Sequence, residues 1–163
     1  MTQTGSGLAH SHGKPTPIFH RIRLVAGTLV LTLEGALPVE FLSPGDRIIT
    51  RDGARSLSAL SAAPLDRADM VHIPASTLGH GRPDDGLMLP PDQKLLIRDW
   101  RAKALFGHPR VIVAAARLID GQMIRRETVT ALRLFTLAFA APVVIYAGGL
   151  EPATSPQRHR VPA

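Results

Sequence analysis

Apolar and polar positions along this chain alternate in short bursts, broken every few residues by turn formers. The densest run is Gly27 to Gly53, GTLVLTLEGALPVEFLSPGDRIITRDG. Thr28 to Leu33 is β-branched and apolar, which predicts a strand, and Glu34-Gly35 can turn it. Ser43-Pro44-Gly45-Asp46 is a tight turn, because proline presets φ near −65° and glycine accepts positive φ. Arg47 to Thr50 alternates polar with apolar, and Asp52-Gly53 is a strong hairpin signal. The pattern predicts a β-meander opening a small barrel or sandwich.

The same bursts continue downstream. Arg55 to Leu60 reads as a weak strand, Ser61 to Asp69 as an Ala/Pro-rich loop, and Met70 to Ile73 as a short strand ended by Pro74. Gly79 to Gly86 is a loop in which His80 sits near Asp84 and Asp85, a loose grouping read as solvent-facing. Leu87–Leu89 and Lys94–Arg98 are strands split by Pro90-Pro91-Asp92-Gln93. Asp99 can cap a helical turn over Trp100–Phe106 that Gly107 stops. Val111–Val113 suits a buried strand, Ala114–Leu118 one helical turn, Asp120-Gly121 a turn, and Glu127–Leu137 a long strand.

Leu134 to Leu150 carries no charge over seventeen residues, close to the length of a membrane span, which needs about 20. Pro142 in its middle, Gly148-Gly149 at its end and the β-prone Val143–Tyr146 point instead to two buried strands joined at Ala141-Pro142. No membrane span is expected. Rich in Gly, Ser, Thr, Pro and His, the first residues have no apolar period. The expected organisation is a disordered arm over 1–21, one domain over 22–150, and a flexible tail over 151–163. No charged start followed by an apolar run marks a secretory signal, so the cytoplasm is the expected location.

Composition narrows the chemistry. The 163 residues suffice for one domain with its own core, and the fourteen glycines and fourteen prolines favour short elements. Without cysteine, disulfides, thiolate metal sites and thiol nucleophiles are excluded. His10, His12 and His20 could take a stray divalent ion but lack further ligands at fixed spacing, so neither metal nor cofactor is expected. The net charge of +6 is concentrated. Lys94, Arg98, Arg101, Lys103, Arg110, Arg117, Arg125, Arg126 and Arg133 face three acids between 94 and 133, and the remainder is balanced. Such an excess is a solvated basic face or a polyanion footprint; aromatics are sparse and no known binding motif accompanies it. No phosphate loop, dinucleotide fingerprint, zinc motif or nucleophile elbow is present.

The order of the turn and strand words carries more than any one of them. Gly27-Thr28-Leu29-Val30, Pro38-Val39-Glu40, Pro44-Gly45-Asp46-Arg47 and Thr50-Arg51-Asp52-Gly53 resemble the opening of the Hedgehog/intein (Hint) domain, most closely its bacterial subfamily. Leu89 to Ala102, then Leu105-Phe106-Gly107, Val111–Ala115, Leu118–Gly121, Ile124–Arg126 and Val144–Leu150 resemble its later blocks in the same order. The resemblance spans about Arg23 to Leu150. It implies a mostly β, Hint-like horseshoe of about ten short strands with one or two helical turns.

It also implies self-processing. In this family a first Cys or Ser attacks the preceding carbonyl, a Ser/Thr-x-x-His block polarises that peptide and moves protons, and a late His assists. At the corresponding positions this chain has Arg23, Pro90 and Gln93, and no histidine lies between His108 and His159. A guanidinium stays protonated and is no nucleophile. Glutamine can donate a hydrogen bond but cannot shuttle a proton. The expectation is a Hint-fold binding or scaffold module without autoprocessing, with no catalytic residue. The alternatives are residual self-cleavage from Thr28 or Ser43, a basic polyanion-binding β domain through the cations above, and a remnant without selected activity.

Overall fold

A computed structural model describes residues 18–158. Twelve strands and one α-helix follow one another in this span: β1 Ile18–Val25, β2 Leu29–Thr32, β3 Gly35–Pro38, β4 Arg47–Thr50, β5 Gly53–Ser56, β6 Ala59–Ile73, β7 Leu87–Leu89, β8 Lys94–Ile97, α1 Trp100–Phe106, β9 Val111–Ala114, β10 Arg125–Phe139, β11 Pro152–Ala153 and β12 Ser155–Arg158. Single 3-10 turns form at Val39–Phe41 and Ala115–Leu118. The fold is mostly β, as the pattern predicts.

The strands form three sheets, ordered β12-β1-β10-β6-β7, β11-β8-β9 and β3-β2-β4-β5. The last is the meander of Gly27–Gly53, with Gly27, Gly35, Gly45 and Gly53 all at positive φ, where a Cβ would be strained. Alternation along β1 sends Ile22 and Leu24 into the core, where they meet Leu137 and Phe139 of β10, Ile48 of β4 and Leu95 of β8. Full burial of each such side chain contributes about 1.5–3 kcal/mol. At the helix, the Asp99 side chain accepts the Arg101 N–H, and Gly107 closes the other end in the left-handed region.

Three expectations are corrected. Ser61–Asp69, read as a loop, belongs to the fifteen-residue strand β6. Its alanines and Pro64 are poor strand formers, and antiparallel pairing with Arg125–Ala138 of β10 overrides that preference. The chain beyond Glu151, read as a tail, forms β11 against β8 and β12 against β1. The first four residues of β1, assigned to the arm, are ordered by the same pairing; residues 1–17, with His10 and His12, lie outside the described span.

Leu134–Leu150 divides as expected near Pro142, but only its first half is a strand. The second half is an irregular seam: Leu31 N–H donates to the Tyr146 carbonyl at 2.9 Å, Arg51 N–H to that of Val144 at 3.0 Å and Ile145 N–H to that of Pro152 at 2.9 Å. This seam stitches the four-stranded sheet to the three-stranded one. No helix among the described residues is long and apolar enough to cross a membrane.

Candidate functional site

Two of the three positions singled out from the sequence meet. Arg23 lies in β1, and Gln93 closes the tight turn Pro90–Gln93 just before β8 through its N–H to the Pro90 carbonyl, 3.0 Å. The Arg23 backbone N–H donates to Gln93 Oε1 at 2.8 Å. Gln93 Nε2 donates to the carbonyls of Lys94 at 2.9 Å and Ala153 at 3.0 Å. With 5% of its surface exposed, this amide is fully committed as a crosspiece tying β1, β8 and β11 together. Pro90 is buried at the head of the turn and does not line the cleft described next.

Around this crosspiece lies a small polar cleft of about 30 Å³, walled by Arg21, Arg23, Asp92, Gln93 and Ser155. The Arg23 guanidinium ion-pairs with Asp92. Arg21, two residues earlier on the same strand face, has its pKa lowered by burial and then by the neighbouring Arg23 charge, with Asp92 opposing. Arg21, Asp92 and Ser155 were not singled out from the sequence. The alternation of β1 could have put Arg21 beside Arg23, but nothing local announces Ser155, because its strand exists only through pairing with β1.

The candidate substitute nucleophiles are occupied or unsupported. Thr28 is buried and its hydroxyl donates to the Val25 carbonyl at 2.8 Å, so it closes a turn. Ser43 is exposed in the turn held by its own N–H to Asp46, 2.8 Å. His80 makes no hydrogen bond or ion pair with Asp84 or Asp85 among the described residues, which also hold no cluster of three metal-ligating side chains. A wider groove of about 300 Å³ opens between Val25–Leu29, Asp84–Met88 and Gly148, away from Gln93.

Four cations of the basic stretch are engaged within the fold. Arg98 donates to the buried Glu151, and the buried Arg101 is held by Asp99 at 2.5 Å and by the Thr77 carbonyl at 3.0 Å. Arg117 and Arg133 lie over the rings of Phe106 and Phe135. Glu151 itself, 4% exposed, gathers Arg51 at 2.6 Å, Arg98 at 2.7 Å and Arg82 at 3.4 Å.

Residues 22–155 match the sequence profile of the Hint domain, which is most of the chain. The chain belongs to the Hint domain family. Solved structures of the same fold include a bacterial intein-like domain from Clostridium thermocellum, 12% identical with a TM-score of 0.55, which covers 82% of this chain and 99% of that one. The MchDnaB-1 intein is 13% identical with a TM-score of 0.52, covering 80% and 98%. The gp41-1 intein is 10% identical at 0.50, covering 80% and 97%. At such identities the likeness is one of fold. A search of curated proteins gave no match. This Hint domain therefore keeps the family scaffold, and in it the Arg23–Gln93 contact ties β1 to the turn before β8.

Proposed function

We propose that this Hint domain does not process its own backbone and serves as a binding or scaffold module. The observation that carries the proposal is the Gln93 side chain. At the position matching the family's histidine, it spends every polar atom on holding strands together. The Ile22–Arg23 peptide belongs to a regular strand, with Ile22 opposite Leu137 and Arg23 opposite Thr136. No hydroxyl or thiol stands at position 23 to attack its carbonyl, and the guanidinium there is tied to Asp92. Each missing acid–base group costs about 10²–10⁴-fold in rate. Nucleophile, base and late histidine are absent together.

The test is the intact mass of the full-length protein after prolonged incubation with and without a small thiol. A single species of 17.5 kDa is expected in both. Scission before Arg23 would overturn the proposal, and scission before Thr28 or Ser43 would install the self-cleaving alternative.

A further inference from the structure

We infer that the cleft between β1 and β12 is a binding site for a single oxyanion group, a carboxylate or a phosphate, held by Arg21 and Arg23. The inference rests on the preceding reading, because a site that runs chemistry at position 23 would not be free to hold a ligand. Arg21 and Arg23 stand two residues apart on β1, so both side chains leave the same face, opposite the core residues Ile22 and Leu24. Arg21 pairs across the strands with Ser155, which brings a hydroxyl to that face.

The charges do not cancel. Two guanidiniums line the cleft and one carboxylate, Asp92, answers them. Among the described residues Asp92 is bound by Arg23, and Arg21 has no ion pair. The lowered pKa of Arg21 is the electrostatic sign of the same imbalance: burial and the adjacent cation both disfavour its charge. A negative group entering the cleft would offset the repulsion between the two cations and favour the charged form of Arg21.

Geometry sets the size of the ligand. A cleft of about 30 Å³ holds one or two water-sized groups, so it admits the oxygens of one oxyanion and leaves the rest of the molecule outside. Guanidinium forks match carboxylate and phosphate oxygens in pairs, whereas chloride offers no such geometry. Gln93 contributes shape only, since its amide is already committed.

The experiment titrates the uncleaved full-length protein with sodium phosphate and, separately, sodium acetate, against sodium chloride at matched ionic strength. The readout is the arginine Nε–Hε resonances. Saturable shifts of Arg21 and Arg23 are expected in the millimolar range, the weak affinity of a bare ion. Saturation by phosphate alone assigns a phosphate-bearing ligand, and saturation by acetate assigns a carboxylate-bearing one. Arg21→Gln should weaken binding at least tenfold, and Arg21→Lys should retain part of it, since the charge survives without the fork. Shifts that chloride reproduces, that never saturate, or that persist unchanged in Arg21→Gln overturn the inference. The intact mass of the same sample separates the two proposals: a flat titration on intact protein sinks only this one, and a cleaved mass sinks the preceding one.

Discussion

Replacing Glu151 by alanine tests what holds the three sheets in register. The carboxylate is buried and accepts from Arg51, at the turn between β4 and β5, from Arg98, at the end of β8, and from Arg82, in the loop before β7. Its removal leaves three guanidiniums drawn together with no anion between them. Breaking a buried pair by deleting one partner costs about 3–5 kcal/mol. The three arginine side chains keep 27–41% of their surface in water and can rehydrate, so the low end applies, about 3 kcal/mol. For a domain of this size that corresponds to a fall in Tm of about 6–12 °C. Urea unfolding should show a lower midpoint with an unchanged slope. Part of the loss should return with added salt, which screens the arginines from one another. A Glu151→Ala midpoint within about 0.5 kcal/mol of the parent, the usual range for an unremarkable surface change, would refute the idea that this carboxylate is the tie.

Three further outcomes follow from the same reasoning. Gln93→Leu keeps the volume but leaves the Arg23 N–H without its acceptor and removes the two bonds from the amide to the Lys94 and Ala153 carbonyls; equilibrium unfolding should show a loss of about 1–3 kcal/mol, and a neutral result would remove Gln93 as the crosspiece. Gly149→Ala places a Cβ 2.6 Å from the Asp84 nitrogen and 2.7 Å from the Gly81 oxygen at a φ of +77°, so a thermal melt should register about 2 kcal/mol or more of destabilisation. Asp120 accepts the N–H groups of Gln122, Ile124 and Met123, which lower its pKa, the Gln122 bond most. A depressed folded-state pKa contributes stability that is complete above the ordinary carboxylate value of about 3.9 and is lost as pH falls through the lower folded value. The stability gap between the parent and Asp120→Asn should therefore be widest near neutrality and shrink as pH falls below the ordinary carboxylate value of about 3.9; a gap independent of pH would contradict this.

What the sequence disclosed tracks how local each cause is. Gly45, Gly53 and Gly107 announce their turns because only glycine accepts those backbone angles cheaply, and Asp99 announces α1 through its own cap. Ser61–Asp69 hides its strand because the cause is β10, far away in the sequence, with Asp69 opposite Thr128 and Ser61 opposite Thr136. Ser155–Arg158 hides for the same reason, since its partner β1 lies at the other end of the chain. The candidate site divides likewise. Arg23 and Gln93 were found by the order of the surrounding words, and their direct contact is a tertiary fact. Arg21, Asp92, Ser155 and Glu151 acquire meaning only once three sheets bring them together.

The antiparallel pairing of β12 with β1 has a mechanical side. Ile18 lies opposite Arg158, so the chain enters and leaves this sheet at one point. A pull that separates those two positions would load the bonds one after another, like a zipper, and not all at once in shear. The last pair to part is Arg21 with Ser155, while β1 stays fastened to β10 along its other edge. Tension across the domain would thus peel β12 away and open the arginine cleft before it disturbed the core.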